Sequence, residues 1–360
     1  MSVTRADVEN ALKGFVDPYL TTDLASAGCL KSAEVAGGRI SVMLETGFPL
    51  ARYGSELKAR VEATLAPLGL PVDVTLGSRV VSHAVQKGTK PLEGVKNTIA
   101  VASGKGGVGK STTAVNLALA LRDEGATVGL LDADIYGPSQ PRMLGATGRP
   151  DSKDGKSMEP KVSHGIQSIS IGHLVEEDTP MIWRGPMATS ALEQLLRETN
   201  WQDVDYLVID LPPGTGDIQL TLCQRIPVSG ALIVTTPQDI ALLDARKALR
   251  MFEKVDVPVL GIVENMSLHT CTNCGHVEHI FGSGGGDAMA RQYGVDLLGE
   301  LPLDIRIRQG VDGGQPTLVT HPDAPFTQVY REVARKVAAR LARRARDYTG
   351  KFPNIVIQNS

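Results

Sequence analysis

Five strand-length apolar runs, TIAVAS, TVGLLDAD, YLVIDLPP, GALIVTTP and VPVLGIVEN, alternate with helical stretches after Asn97. Strands this uniformly apolar have no face to offer water. They require burial on both sides, with helices crossing between parallel neighbours. The pattern predicts an α/β fold, a doubly wound and mostly parallel sheet over residues 97–345. In open sheets of this kind ligands bind beyond the carboxyl ends of the strands, and the polar residues of this chain gather there.

Residues 1–85 read as a separate small α/β unit. RADVENALKGF and GSELKARVEATLAPLG have helical spacing, while GGRISVMLETG and PVDVTLGSRVVS alternate as strands do. Residues 86–96, QKGTKPLEGVK, are polar with Gly and Pro and read as a linker, and 346–360 as a flexible tail. Hydrophobic residues at 42% and charged ones at 21% suit a globular chain with a full core. A formal charge of −3 lacks the basic excess of a general nucleic-acid binder. MSVTRADVENALKGF has no apolar core of signal-peptide length, and no run reaches the ~18 apolar residues of a membrane span. The expectation is a cytoplasmic protein whose thiols stay reduced and free for metal. Isolated Cys29 and Cys223 read as small buried hydrophobes.

The stretch SGKGGVGKSTT follows the first apolar run and opens the helical STTAVNLALALRDEG. Gly104, Gly109, Lys110 and Ser111 match the phosphate-loop pattern G-x-x-x-x-G-K-[ST]. Glycines let backbone N–H groups turn inward around phosphates, and the helix N-terminus adds its dipole. The expected ATP ligands are Gly104, Gly106, Gly107, Val108, Gly109, Lys110, Ser111 and Thr112. Lys110 would face the β- and γ-phosphates, the Ser111 hydroxyl Mg²⁺, and Thr112 the α-phosphate. Asp210 closes YLVID before LPPGTGD, where a carboxylate can hold the Mg²⁺ water shell and Gly214 and Gly216 admit a γ-phosphate. Asp132 and Asp134 close TVGLLDAD; either alone reads equally well as a turn cap.

Lys105 is one lysine more than such a loop requires. With it, GKGGVGKST resembles the deviant Walker A of the MinD/ParA/nitrogenase iron protein class. The resemblance implies ATP held between two facing subunits, with Lys105 reaching the partner's phosphates as an arginine finger would. It also implies that Asp134 positions the attacking water and that Asn265, in GIVENMS, reads the adenine edge. Lys105, Lys110 and Asp134 are thus the catalytic candidates.

Cys271 and Cys274 form a C-x-x-C pair in a polar loop. Such a pair fits a redox couple, half a zinc site, half an iron–sulfur site or incidental cysteines. A redox pair would be expected to open a helix in a thioredoxin-like unit, which this is not. His276 and His279 lie close, but a Cys₂His₂ site within nine residues is cramped where about twelve usually separate the pairs. Both histidines read as polar loop residues. A cubane cluster takes four thiolates, and a twofold axis through the loop would supply the missing two.

From about 97 to 340 the chain resembles the Mrp/ApbC family of iron–sulfur cluster carrier ATPases. The matching residues are the phosphate loop, DADIYGPSQPRMLG, DLPPGTGD, ENMS, the C-x-x-C and IFGSGGG. VDPYLTTDLASAGCL is similar to the small iron–sulfur assembly domain that often precedes this ATPase. That domain commonly has a cysteine before a proline where LETGFPLARYG has Phe48 before Pro49, so no thiol chemistry is expected of it. The resemblance implies a homodimeric, Mg²⁺-dependent, slow ATPase. It would hold a bridging cluster, 4Fe–4S in type, on Cys271 and Cys274 and pass it to apo iron–sulfur proteins.

Two other readings compete. A MinD/ParA-like spatial switch would share the same phosphate loop and use the basic amphipathic FTQVYREVARKVAARLARRARDY on a membrane, and the cysteine pair counts against it. The same helix also suits packing on the sheet. A zinc-bridged targeting ATPase would need a Met-rich apolar insert, whereas 138–200 is polar at GRPDSKDGKSMEP. Neither nucleic acid nor membrane is expected as a partner.

Overall fold

Alternation along the long strands divides the interior of the ATPase-like region between two helix layers. The structure, a computed structural model, describes residues 3–175 and 185–344, and the expected tail at 346–360 lies outside them. In β4 (Val95–Ala102), Ile99 and Val101 enter one core while Ala100 and Ala102 enter another. The other central strands divide in the same manner: β5 (Val128–Asp132), β8 (Val204–Asp210) and β9 (Gly230–Thr235). Each fully buried Ile, Leu or Val contributes roughly 1.5–3 kcal/mol, which makes the two-sided sheet the dominant stabilising element.

Eight strands form that sheet. With β6 (Lys161–Ser163), β7 (Ile166–Ser170), β10 (Val259–Asn265) and β13 (Leu297–Leu301), the order is β13-β10-β9-β4-β8-β5-β7-β6. All neighbours are parallel except β6 and β7 at one edge. The doubly wound, mostly parallel sheet is therefore the observed architecture, three strands wider than the apolar runs indicated. The additional strands are short or carry polar residues, as in GEL of β13, so they lack a buried-strand signature. Register places Asp210 opposite both Val101 and Asp132, bringing two acids side by side at the carboxyl ends.

One face carries α3 (Lys110–Asp123), α8 (Ile305–Asp312) and the last helix, α9 (Pro325–Ala342). The other carries α4 (Gly185–Arg197), α5 (Asp217–Arg225), α6 (Asp239–Lys254) and α7 (Gly285–Tyr293). Phe326, Tyr330, Val333, Val337 and Leu341 of α9 are buried in the core. The apolar face that suggested membrane binding is already covered by protein. Among the described residues no helix is long and apolar enough to cross a membrane.

The small unit packs α1 (Arg5–Lys13) and α2 (Gly54–Leu65) on a sheet ordered β1-β2-β3. Its strands are Leu30–Ala36, Arg39–Thr46 and Val72–Ser78. The first went unread in the sequence because its register shifts between Leu30 and Ser32 and only Ala33 is fully buried. Buried residues of this unit continue into the α3–α9 core. The junction centres on Glu124, just past α3. Its carboxylate accepts from the backbone N–H groups of Arg52 and Tyr53 and from Arg335 of α9 at 2.7 Å. Gln86, in the polar stretch read as a linker, is buried and donates to the carbonyls of Cys223 and Ile226.

Candidate functional site

The turn from β4 into α3 is built for an anion. Gly109 precedes the helix at φ +84° and offers no capping side chain, so the first N–H groups of α3 stay available. A Cβ on Gly109 would meet the Asn265 amide at 2.1 Å. A Cβ on Gly104 would lie 2.0 Å from the backbone of Asp244 in α6, so packing as well as phosphate access requires glycine there. Lys105, Gly106, Gly107, Lys110, Ser111 and Thr112 line a cleft of about 220 Å³ that Asp134 also borders. A larger groove of about 580 Å³ lies along α4, but its lining is mainly apolar side chains and carries no such chemistry. The Val108 side chain is buried, and its carbonyl is held by Asn265.

Beneath the cleft, Lys110 Nζ lies 2.5 Å from Asp210 Oδ1, with the side chains 6% and 0% exposed. The pair balances two charges that burial would otherwise make costly. Lys110 also donates to Ser111 Oγ at 3.2 Å. Asp134 is partly buried, and burial raises its carboxyl above the usual range against the opposing effect of Lys110. Asp132 differs from its neighbour. It is fully buried and accepts from the N–H groups of Asp134, Ser139 and Gln140 and from Ser170 Oγ. Burial first, then the charge of Asp210, pushes it up to about 7. Of the three acids, Asp132 organises the loop 132–140, Asp134 borders the cleft and Asp210 pairs with Lys110.

Lys105 forms no ion pair among the described residues; its carbonyl accepts from Ser103 Oγ at 2.9 Å. Asn265, at the end of β10, donates from Nδ2 to the Val108 carbonyl at 2.9 Å. In this arrangement it braces the phosphate loop. Gly214 of the loop after β8 donates its N–H to the Ser103 carbonyl, tying that loop to the same turn. Sequence reasoning missed Gln140, buried between these elements; the SQP that follows DADIYGP was its only signal.

Cys271 and Cys274 sit away from the cleft on a hairpin, β11 (His269–Thr270) and β12 (Val277–Glu278). The Gly275 N–H donates to the Cys271 carbonyl and the Cys271 N–H to that of His276, closing a tight turn. Backbone N–H groups of Cys274 and then Asn273 point at the Cys271 sulfur and lower its thiol pKa, the form a metal takes. Residues 272–280 are all exposed. His276 Nε2 is 3.8 Å from Glu278, and His279 Nδ1 is 2.7 Å from the Ser267 carbonyl. No group of three potential metal ligands occurs among the described residues. Cys29 and Cys223 are buried, with thiols pushed up to about 11 and about 12.

Residues 94–338 match the family model described as NUBPL iron-transfer P-loop NTPase, and residues 5–76 match that of an iron–sulfur cluster assembly protein. An iron–sulfur cluster carrier protein of Escherichia coli (strain K12) is 53% identical over 340 residues, covering 94% of this chain and 92% of that one. The iron–sulfur cluster transfer protein NUBPL of Mus musculus is 51% identical over 266 residues, covering 73% and 83%. A solved nucleotide-binding protein from Archaeoglobus fulgidus, in complex with ADP and with cobalt, is 37% identical at a TM-score of 0.56. That match covers 65% of this chain and 91% of the other.

Proposed function

The chain belongs to the NUBPL iron-transfer P-loop NTPase family, and from that premise we propose that it is a homodimeric ATPase that carries an iron–sulfur cluster to apo-proteins. The cluster is a bridging one, 4Fe–4S in type, and the work is done in the cytoplasm. One observation carries this reading: the half-buried Cys271 and the exposed Cys274 share one turn, with no third potential ligand grouped with them among the described residues. A four-thiolate cage then needs a second chain, and a twofold axis supplies it.

At the nucleotide end, Lys110 leaves Asp210 for the β- and γ-phosphates when ATP enters. Ser111 and the freed Asp210 oxygen would hold Mg²⁺, which neutralises charge on the phosphates when bound. Asp134, with its raised carboxyl, orients and accepts a proton from the attacking water. Lys105, without an ion pair among the described residues, serves the partner's phosphates. Hydrolysis is slow because the site is complete only across two subunits.

Transfer is the direct test. Cluster-loaded wild type should activate an apo-enzyme that accepts a 4Fe–4S cluster, and Cys274→Ala should not, although it still binds ATP. Equal activation by the variant would remove the half-site from the reading.

A further inference from the structure

The buried side chain of Gln140 joins three parts of the nucleotide site. It is 1% exposed, and its Nε2 donates to Asp210 Oδ2 at 2.8 Å and to the Ser111 carbonyl at 3.1 Å. Its own N–H is held by Asp132 at 3.0 Å, which fixes where the side chain starts. Gln140 therefore links the loop bearing Asp134, the carboxylate at the end of β8 and the first turn of α3. Asp210 is gripped on both oxygens, by Lys110 on Oδ1 and by Gln140 on Oδ2.

These grips are unequal in what a ligand does to them. Phosphates draw Lys110 away, because they offer it a stronger partner in the cleft. Nothing draws Gln140 away, since it lies behind the carboxylate. Once Lys110 leaves, Gln140 is, among the described residues, the one side chain still fixing the carboxylate plane. A second observation points to a polar ligand here: Ser139 Oγ, at the cleft border, and Gln140 Oε1 are buried without a partner among the described residues. Buried polar atoms without partners are costly and are normally satisfied when the missing group is present. Ser139, Asp210 and Ser111 thus suit a hydrated divalent cation.

We infer that Gln140 is the positioning residue that sets Asp210 for Mg²⁺ and ties that setting to the loop bearing Asp134. The inference rests on the nucleotide-binding part of the proposed function and needs neither the cluster nor the dimer. Partners behind a metal-site carboxylate typically change metal affinity by 10–100-fold when removed. Gln140→Leu keeps the volume and removes the donor. Gln140→Glu keeps the shape and sets an acceptor against Asp210.

The experiment measures binding of a fluorescent ATP analogue by full-length protein, titrated with Mg²⁺ and repeated in EDTA. Both variants should bind the analogue in EDTA within about twofold of wild type. Both should need roughly tenfold more Mg²⁺ for the metal-dependent gain in affinity, with Gln140→Glu the worse. The Mg²⁺ dependence of turnover should shift in parallel. An unshifted Mg²⁺ midpoint in the two variants overturns the inference, as does a loss confined to binding in EDTA. If wild-type protein binds the analogue yet never hydrolyses ATP, the ATPase reading fails while the Mg²⁺ midpoints still decide the role of Gln140.

Discussion

Lys105 borders the phosphate cleft, yet its ammonium meets no carboxylate among the described residues. A cation in that position has a use only if charge arrives from elsewhere, and the facing subunit's phosphates would bring it. Lys105→Ala should therefore abolish ATP hydrolysis while changing the nucleotide affinity of the single chain by less than about threefold, within what an exposed charge contributes. Turnover at the wild-type rate would remove the cross-subunit role. Asp132 gives a second residue-scale prediction. Its unfolded carboxyl ionises near 3.9, while burial and Asp210 hold it at about 7 in the fold. The fold thus binds the proton more tightly. That contribution to stability is complete below the unfolded value and is lost as pH rises through about 7. The melting temperature of wild type minus that of Asp132→Asn should fall as pH rises from roughly 4 to about 7 and level off above it. A constant difference would contradict the assignment. The phosphate loop was legible because its glycines and lysine must stand at fixed spacing. The division of labour among Asp132, Asp134 and Asp210 was not, since three acids at strand ends look alike until burial and hydrogen bonds separate them.

At the scale of elements, α3 has two occupied ends. Its N-terminus forms the phosphate cleft, and Asp123 and Glu124 at its C-terminus meet arginines from both neighbours. Arg52 and Arg331 pair with Asp123, at 2.6 Å and 2.7 Å, and Arg335 with Glu124 at 2.7 Å. Arg335 also lies over the rings of Tyr19 and Tyr53. Its side chain is 12% exposed and that of Glu124 2%, so the pair is largely desolvated. Removing one member of such a pair strands the other. Arg335→Ala should cost roughly 3–5 kcal/mol in urea unfolding. A loss under about 1 kcal/mol would mark the pair as an ordinary surface contact. None of this was readable beforehand: pairs separated by two hundred residues leave no local pattern. The helices and central strands were readable, because apolar spacing is a local signal that tertiary packing only reinforces.

For the whole molecule, the two-sided sheet followed from five apolar runs, and the family followed from motifs spread along its carboxyl ends. Edge strands and the small unit's first strand stayed hidden, being short, polar or shifted in register. The union of the small unit with the α3–α9 core was also hidden, because the residues joining them, Glu124 among them, are polar and are buried only in the assembled fold. On the proposed reading two copies complete one another, joining their exposed cysteine hairpins and giving each Lys105, which has no ion pair among the described residues, its partner. The most direct measurement is the native mass and metal content of full-length protein, reconstituted anaerobically with ferrous iron, sulfide and ATP. The account predicts a dimer carrying about two iron and two sulfide per chain, with neither retained by Cys271→Ala. A single chain under those conditions, or iron held equally well by that variant, would contradict it.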